Sequence, residues 1–407
     1  MRIARKARRL RRRPFARLWI GFSLASSGDG LLLGATPLLA VMVDPHPVAV
    51  SAVAAADSIP WLLMALPAGA FADRFERGPL MALANVWRAA VMIFAALLIA
   101  SGHMRLWILI VVVLVNSAGR AVYYSSYQAM VPSLVEPDAL EHANGMLAGT
   151  EAGTEHLAGP IAGTAMFAVS ASVPFYADAV AMLMSSLPLT GLRAKAREQP
   201  EPSRTSMWEG VKLLFGDRRL RVLVLIVSSL AGLQGMETGV LVLLATTLWG
   251  VHTGAYGVFL AAGAVGNLIG SVVTERFVGR FGSASTLIGS AVVSGAAYLV
   301  MAAANGWQVA GPAYLALGIA VGLGSVVAIS LRQRLTPPEL MGRVGGAWRG
   351  LVWGAAPVGA LLAGSLAALG GLRLPILLAG VLQIVTAGLL ARPLFRSIRG
   401  GAQPAPG

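Results

Sequence analysis

Leu192-Arg-Ala-Lys-Ala-Arg-Glu-Gln-Pro-Glu-Pro-Ser-Arg204, running on to Arg219, is the one long polar stretch in a chain otherwise built of apolar runs. Its segment 198–204, charged and broken by two prolines, has the composition of a linker, and residues 207–215 after it read as a surface helix. A membrane-spanning helix needs about 20 apolar residues. Measured with that ruler, the sequence before the linker holds six spans, at 16–43, 49–72, 79–101, 106–131, 142–169 and 173–191. The sequence after it holds six more, at 220–249, 255–279, 284–304, 308–331, 342–369 and 373–395. The expected fold is an all-α membrane protein of twelve transmembrane helices in two pseudo-symmetric six-helix halves. The halves are 1–191 and 220–399, joined by a central loop at 192–219 and followed by a flexible tail at 400–407.

Composition points the same way. The 407 residues are 56% hydrophobic and 12% charged, against about 25% charged in soluble domains. A soluble core of this length cannot hide so much apolar surface, whereas lipid accommodates it and forces the backbone into helices or closed barrels. The apolar runs are long rather than alternating, which selects helices. The basic start followed by an apolar run has the outline of a signal peptide, but the run from Phe15 to Val43 is too long for one and reads as the first span.

The net charge of +14 lies in segments between the spans. With both termini in the cytoplasm, 27 basic residues fall on that side and only Arg105 and Arg373 on the other, the asymmetry expected of cytoplasmic loops facing anionic lipid headgroups. A misplaced span would have scrambled it. Basic charge so placed is a topology signal for a multi-pass protein of the cell (inner) membrane, not a nucleic-acid footprint. There is no cysteine, no HExxH, no lysine following glycine as in a Walker loop and no serine in a G-x-S-x-G setting. Neither an enzyme, nor ATP as a partner, nor a metal or organic cofactor is expected.

The halves repeat each other. Gly145, Gly149, Gly153 and Gly159 in the fifth span, the last followed by Pro160, correspond to Gly346, Gly350, Gly354 and Gly359 in the eleventh, about 200 residues on. Glycines spaced by four make a smooth helical stripe. It is read either as generic packing or, because it recurs in matching helices, as a sliding seam between halves that rock about a midplane site. The segment Gly69-Ala-Phe-Ala-Asp73-Arg74-Phe75-Glu76-Arg77 closes the second span, and Glu275, Arg276 and Arg280 close the eighth as a weaker copy. A carboxylate there can meet a helix N-terminus and nearby arginines in one state and leave them in another.

That first segment resembles the loop signature of the major facilitator superfamily. Phe15-Ala-Arg-Leu-Trp19 before Gly28-Asp29, together with Ala143-Asn144, Gly159-Pro160 and Gln333-Arg-Leu-Thr-Pro337, is similar to its enterobactin-exporter and macrolide-efflux branch. The fifth span also resembles the antiporter glycine-proline motif, departing from it at Glu155. The resemblance implies a cytoplasmic latch at Gly69, Asp73, Arg74 and Arg77, export as the direction and a proton gradient as the energy source. Arg88, toward the cytoplasmic third of the third span, is expected to join the latch around Asp73.

Charged residues within a bilayer cost roughly 2.5–3.5 kcal/mol each on insertion scales, and so pair or line cavities. Asp29, Arg120, Glu151, Glu155 and Glu237 fall well inside spans. Glu151 and Glu155 stand one turn apart on one helical face, roughly opposite the glycine stripe. They are read either as a structural pair with Arg120 or as a proton-coupling cluster, with Glu155 foremost. Arg120, Tyr123, Tyr124 and Tyr127 share a face of the fourth span, and Tyr123, Tyr127 and Trp353 are the expected aromatic wall of a substrate cavity. Asp57 and Asp178 are placed near outer helix ends within reach of water. His156 is placed on the stripe side as a packing residue. Six acids within spans against three arginines favour a neutral or cationic small-molecule substrate. The expected activity is proton-coupled export of a small amphipathic compound. A facilitator importer or uniporter and a non-transporting sensor or scaffold are the alternatives.

Overall fold

On the helix at 77–100 polarity is turned inside out. Asn85 and Arg88 are fully buried, while Leu83, Trp87, Phe94 and Leu97 are more than half exposed. In water that arrangement would be unstable; in lipid it satisfies the polar groups inside and leaves apolar side chains facing acyl chains. The computed structural model describes residues 12–63, 75–192, 211–336 and 340–399.

Twelve helical spans run through the described residues. They are α1 (Arg12–Val43), α2 (Pro47–Leu63), α3 (Arg77–Ala100), α4 (Leu106–Leu134), a composite α5, and α6 (Val173–Leu189). After them come α7 (Arg218–Leu243), α8 (Tyr256–Phe281), α9 (Ser283–Ala303), α10 (Trp307–Leu335), α11 (Met341–Gly370) and α12 (Arg373–Arg399). The composite α5 starts as an α-helix over Leu140–Glu151, widens to a π-helix over Ala152–Ala158 and returns to α geometry over Gly159–Val169. Nine of these spans are by themselves long and apolar enough to cross a membrane. The exceptions are α5, divided by its π segment, and the shorter apolar α2 and α6.

Local signals set the boundaries. The Asp217 side chain caps α7 by accepting from the backbone N–H of Arg219 at 2.6 Å and of Leu220 at 3.2 Å, the role for which aspartate is favoured there. Gly282 after α8 and Gly371 after α11 turn with φ of 80° and 83°, a left-handed conformation that side chains with a Cβ resist.

The packing pairs repeat six helices later. α1 packs on α5 and α6, and α3 on α4 and α6; likewise α7 packs on α11 and α12, and α9 on α10 and α12. The close approaches repeat too. A Cβ on Gly159 would overlap the backbone of Gly30, and one on Gly359 the backbone of Gly232.

Contacts divide the chain into two compact units. The first comprises Met1–Pro45, Ile59–Gln199 and His252–Ala261, and the second comprises His46–Ser58, Pro200–Val251 and Ala262–Gly407. Each unit therefore contains the start of one helix from the other half of the sequence. In the first, Thr164 on α5 donates to the carbonyl of Gly254 and accepts from the N–H of Gly257, both at 3.2 Å. In the second, Ser51 on α2 lies against Gly364 of α11. The second unit also holds an apolar core built on Leu214, Leu223, Leu287, Leu331 and Trp348.

Candidate functional site

The first unit encloses a charged network carried by four helices. Asp29 on α1 forms ion pairs with Arg88 of α3, through Oδ1, and with Arg120 of α4, through Oδ2 at 3.5 Å. Arg120 also pairs with Glu155 of α5. Asp29 and Glu155 are therefore bridged by one guanidinium, which stacks over the Trp61 ring at 5.6 Å. Arg88 is fully buried, and its remaining donors reach Asn116 Oδ1 at 3.1 Å and Asn85 Oδ1 at 3.5 Å. Asn85 in turn donates to Ser185 of α6 at 2.9 Å. Such a network fixes each charge only while every member is present, because an unpaired charge in low dielectric is costly.

Glycines let the helices approach. A Cβ at Gly30 would stand 2.9 Å from Glu155 Cα, and Gly34 on α1 is equally close to Pro160. The absence of side chains at these positions brings α1 against the π segment and places Asp29 and Glu155 around Arg120.

Glu151 joins through an aromatic side chain. Tyr124 Oη donates to its Oε1 at 3.1 Å and meets Trp61 edge-on with ring centroids 5.7 Å apart. Beside them a cleft of about 360 Å³ opens between α4 and α5, lined among others by Tyr124, Tyr127, Gln128, Asn144 and Glu151. Its walls combine aromatic faces, amides and one carboxylate, as pockets for amphipathic molecules do.

The arrangement corrects several sequence expectations. Arg88 pairs with Asp29 and is a member of the buried network, where the sequence had suggested the latch around Asp73; it stands midway along α3. Tyr123 is buried, and the tyrosines that line the cleft are Tyr124 and Tyr127. Tyr127 stacks on Phe22 at 4.5 Å. Asp178 lies beyond the reach of water: it is fully buried against Gly28, and among the described residues neither oxygen has a hydrogen-bond partner. His156 lies with Glu151 and Glu155, their ligand atoms all within 4.8 Å of one another. The regular 100° step that put it on the stripe side fails because the intervening residues form a π-helix.

Glu237 is in the other unit. It is buried on α7 and accepts from Tyr298 Oη at 3.3 Å. Trp353, also in that unit, is exposed. Of the stripe, Gly145, Gly149 and Gly153 in the first unit and Gly346 and Gly350 in the second have open space where a Cβ would stand, whereas Gly159 and Pro160 are buried. Gly354 is half-buried. Gly69, Asp73 and Arg74 lie outside the described residues. Arg77 is buried and donates to the carbonyl of Ala129 at 2.9 Å, tying the start of α3 to the end of α4. Glu275, Arg276 and Arg280 are exposed, and Arg280 lies over the Phe281 ring at 5.6 Å. Asn85, Asn116 and Trp61 escaped sequence reading; a polar residue on the face opposite Leu83 and Trp87 was the available signal for Asn85.

The sequence profile of the Major Facilitator Superfamily matches residues 18–357. The chain belongs to this superfamily. It is a multi-pass membrane transporter, not an enzyme. The multidrug efflux pump Tap of Mycolicibacterium fortuitum is 26% identical over 403 residues, covering 92% of this chain and 96% of that protein. The MFS-type transporter YfiS of Bacillus subtilis (strain 168) is 24% identical over 384 residues, 89% of each chain. The fold is shared with a variant of the nucleoside transporter NupG, at a TM-score of 0.76 and 13% identity over 94% of this chain and 99% of that one. It is shared also with a bacterial homologue of the iron transporter ferroportin, at a TM-score of 0.73 and 19% identity over 95% and 98%.

Proposed function

We propose that this transporter exports a small amphipathic compound, neutral or cationic, from the cytoplasm across the cell membrane in exchange for protons. The observation that carries the reading is the Asp29–Arg120–Glu155 bridge beside a polar-aromatic cleft. One guanidinium between two carboxylates can release one of them when it takes a proton, and the freed geometry can follow the direction in which the cavity opens. Glu155 is the foremost proton carrier, with Asp29 and Glu151 as partners and Glu237 as a separate buried acid of the second unit. Similarity to the efflux pump Tap supports export and a drug-like substrate.

Alternating access follows as a rocking of the halves 1–191 and 220–399 about the 192–219 loop. Gly145, Gly149 and Gly153 with Gly346, Gly350 and Gly354 form the sliding faces, where small side chains interlock least. Gly69, Asp73, Arg74 and Arg77 form the cytoplasmic latch, with Glu275, Arg276 and Arg280 as its counterpart. Both termini are cytoplasmic, and the basic loops face anionic headgroups.

The test is uptake of a fluorescent lipophilic cation into everted membrane vesicles energised with an imposed pH gradient. Wild-type protein should accumulate the dye and lose it on addition of an uncoupler, and Glu155→Gln should show no gradient-driven accumulation. Gradient-driven uptake by Glu155→Gln at the wild-type rate would remove Glu155 from the mechanism. Gradient-independent equilibration by the wild type would make the protein a facilitator.

A further inference from the structure

Two carboxylates and an imidazole converge on one side of α5 only because that helix is irregular. In a regular α-helix residues five apart point about 140° away from each other, given 3.6 residues per turn. The i→i+5 bonding of the π segment widens the turn and swings His156 round to the side of Glu151 and Glu155. One ligand atom from each lies within 4.8 Å of the other two. Atoms bound to a common ion at 2.0–2.2 Å sit about 3 to 4.4 Å from each other, so closure on an ion needs shifts of a fraction of an ångström to an ångström. The imidazole is exposed. Glu155 gives only Oε1 to Arg120, which leaves its second oxygen for another partner.

We propose that Glu151, Glu155 and His156 form a binding site for a first-row divalent metal cation. Charge is compatible with it as well: Asp29, Glu151 and Glu155 outnumber the guanidiniums of Arg88 and Arg120 around them. The donor set chooses the metal: one nitrogen with two carboxylates suits manganese, cobalt or zinc better than magnesium or calcium, which take oxygen alone, and the chain has no thiolate to offer copper(I). The π segment is then the device that makes the site, since it brings the imidazole to the side of the two glutamates. A metal ion on Glu155 would keep that carboxylate deprotonated, so metal would compete with the proton that the proposed function assigns to the same residue.

The test is titration of the purified, untagged full-length protein in nanodiscs with Co²⁺, followed by calorimetry and by visible absorption. The wild type should bind one Co²⁺ per chain and develop ligand-field bands. His156→Ala, a change at an exposed side chain, should weaken binding at least about tenfold, and Glu151→Gln should do the same. Absence of saturable binding by the wild type, or wild-type binding by His156→Ala, would overturn the site. Those results would leave the proton mechanism standing if gradient-driven dye uptake still depends on Glu155, so the two readings fail separately.

Discussion

Arg120 holds the network together, because among the described residues it is the one that contacts both Asp29 and Glu155. Removing one partner from a buried ion pair typically costs about 3–5 kcal/mol, as the other charge is left uncompensated. Arg120→Ala should therefore lower the melting temperature in detergent sharply. The double substitution Arg120→Ala/Glu155→Gln should recover much of the loss, since the stranded carboxylate is gone; a double variant no more stable than the single one would show that Arg120 acts through packing. At this scale the sequence showed which charged residues fall inside spans but not which way they point. Asp29, Arg120, Glu151 and Glu155 were recognisable because charge deep in an apolar run is costly wherever it points. Whether Arg88 turned toward Asp29 or toward the cytoplasmic loop depends on the rotation of α3, and that is set by which helices pack around it. Asp178 was misread for the same reason: its position near a helix end said nothing about its burial against Gly28.

Among the elements, α5 departs most from regularity. Twelve spans and their approximate limits could be read from apolar length alone, because lipid imposes that length on every crossing. The π segment at Ala152–Ala158 left no comparable mark, since it exchanges one hydrogen-bond register for another without changing composition. Its consequence was the misplacement of His156. The glycines of the same helix divide into two kinds that spacing could not separate. Gly149 has open space beside it, while Gly159 is pressed against the backbone of Gly30. Gly149→Ala should keep or slightly raise the melting temperature, as alanine is favoured over glycine in helices by about 1 kcal/mol. Gly159→Ala should lower it markedly, because backbone cannot yield as a flexible side chain does. Equal effects at the two positions would contradict the packing of α1 on α5.

For the whole molecule, the repetition of packing pairs six helices apart agrees with the six-plus-six division that the polar stretch after Leu192 suggested. The contact units show what the linear division missed, namely that the starts of α2 and α8 each pack within the unit containing mostly the other half of the sequence. Local hydrophobicity carries no information about such long-range contacts. The orientation proposed from the basic loops is open to direct test because the chain has no cysteine. Single cysteines placed at Ser203 and at Gln403 should react with an impermeant maleimide in everted vesicles and stay protected in intact cells, and one placed at His103 should do the reverse. Labelling of Ser203→Cys and Gln403→Cys from opposite sides would contradict twelve crossings.

Proton release on substrate binding probes the central claim with the fewest intervening steps. Purified protein in weakly buffered detergent solution, mixed with the lipophilic cation proposed as its substrate, should acidify the medium, and Glu155→Gln should bind the same compound without doing so. Equal proton release from both proteins, or none from the wild type despite binding, would contradict the account.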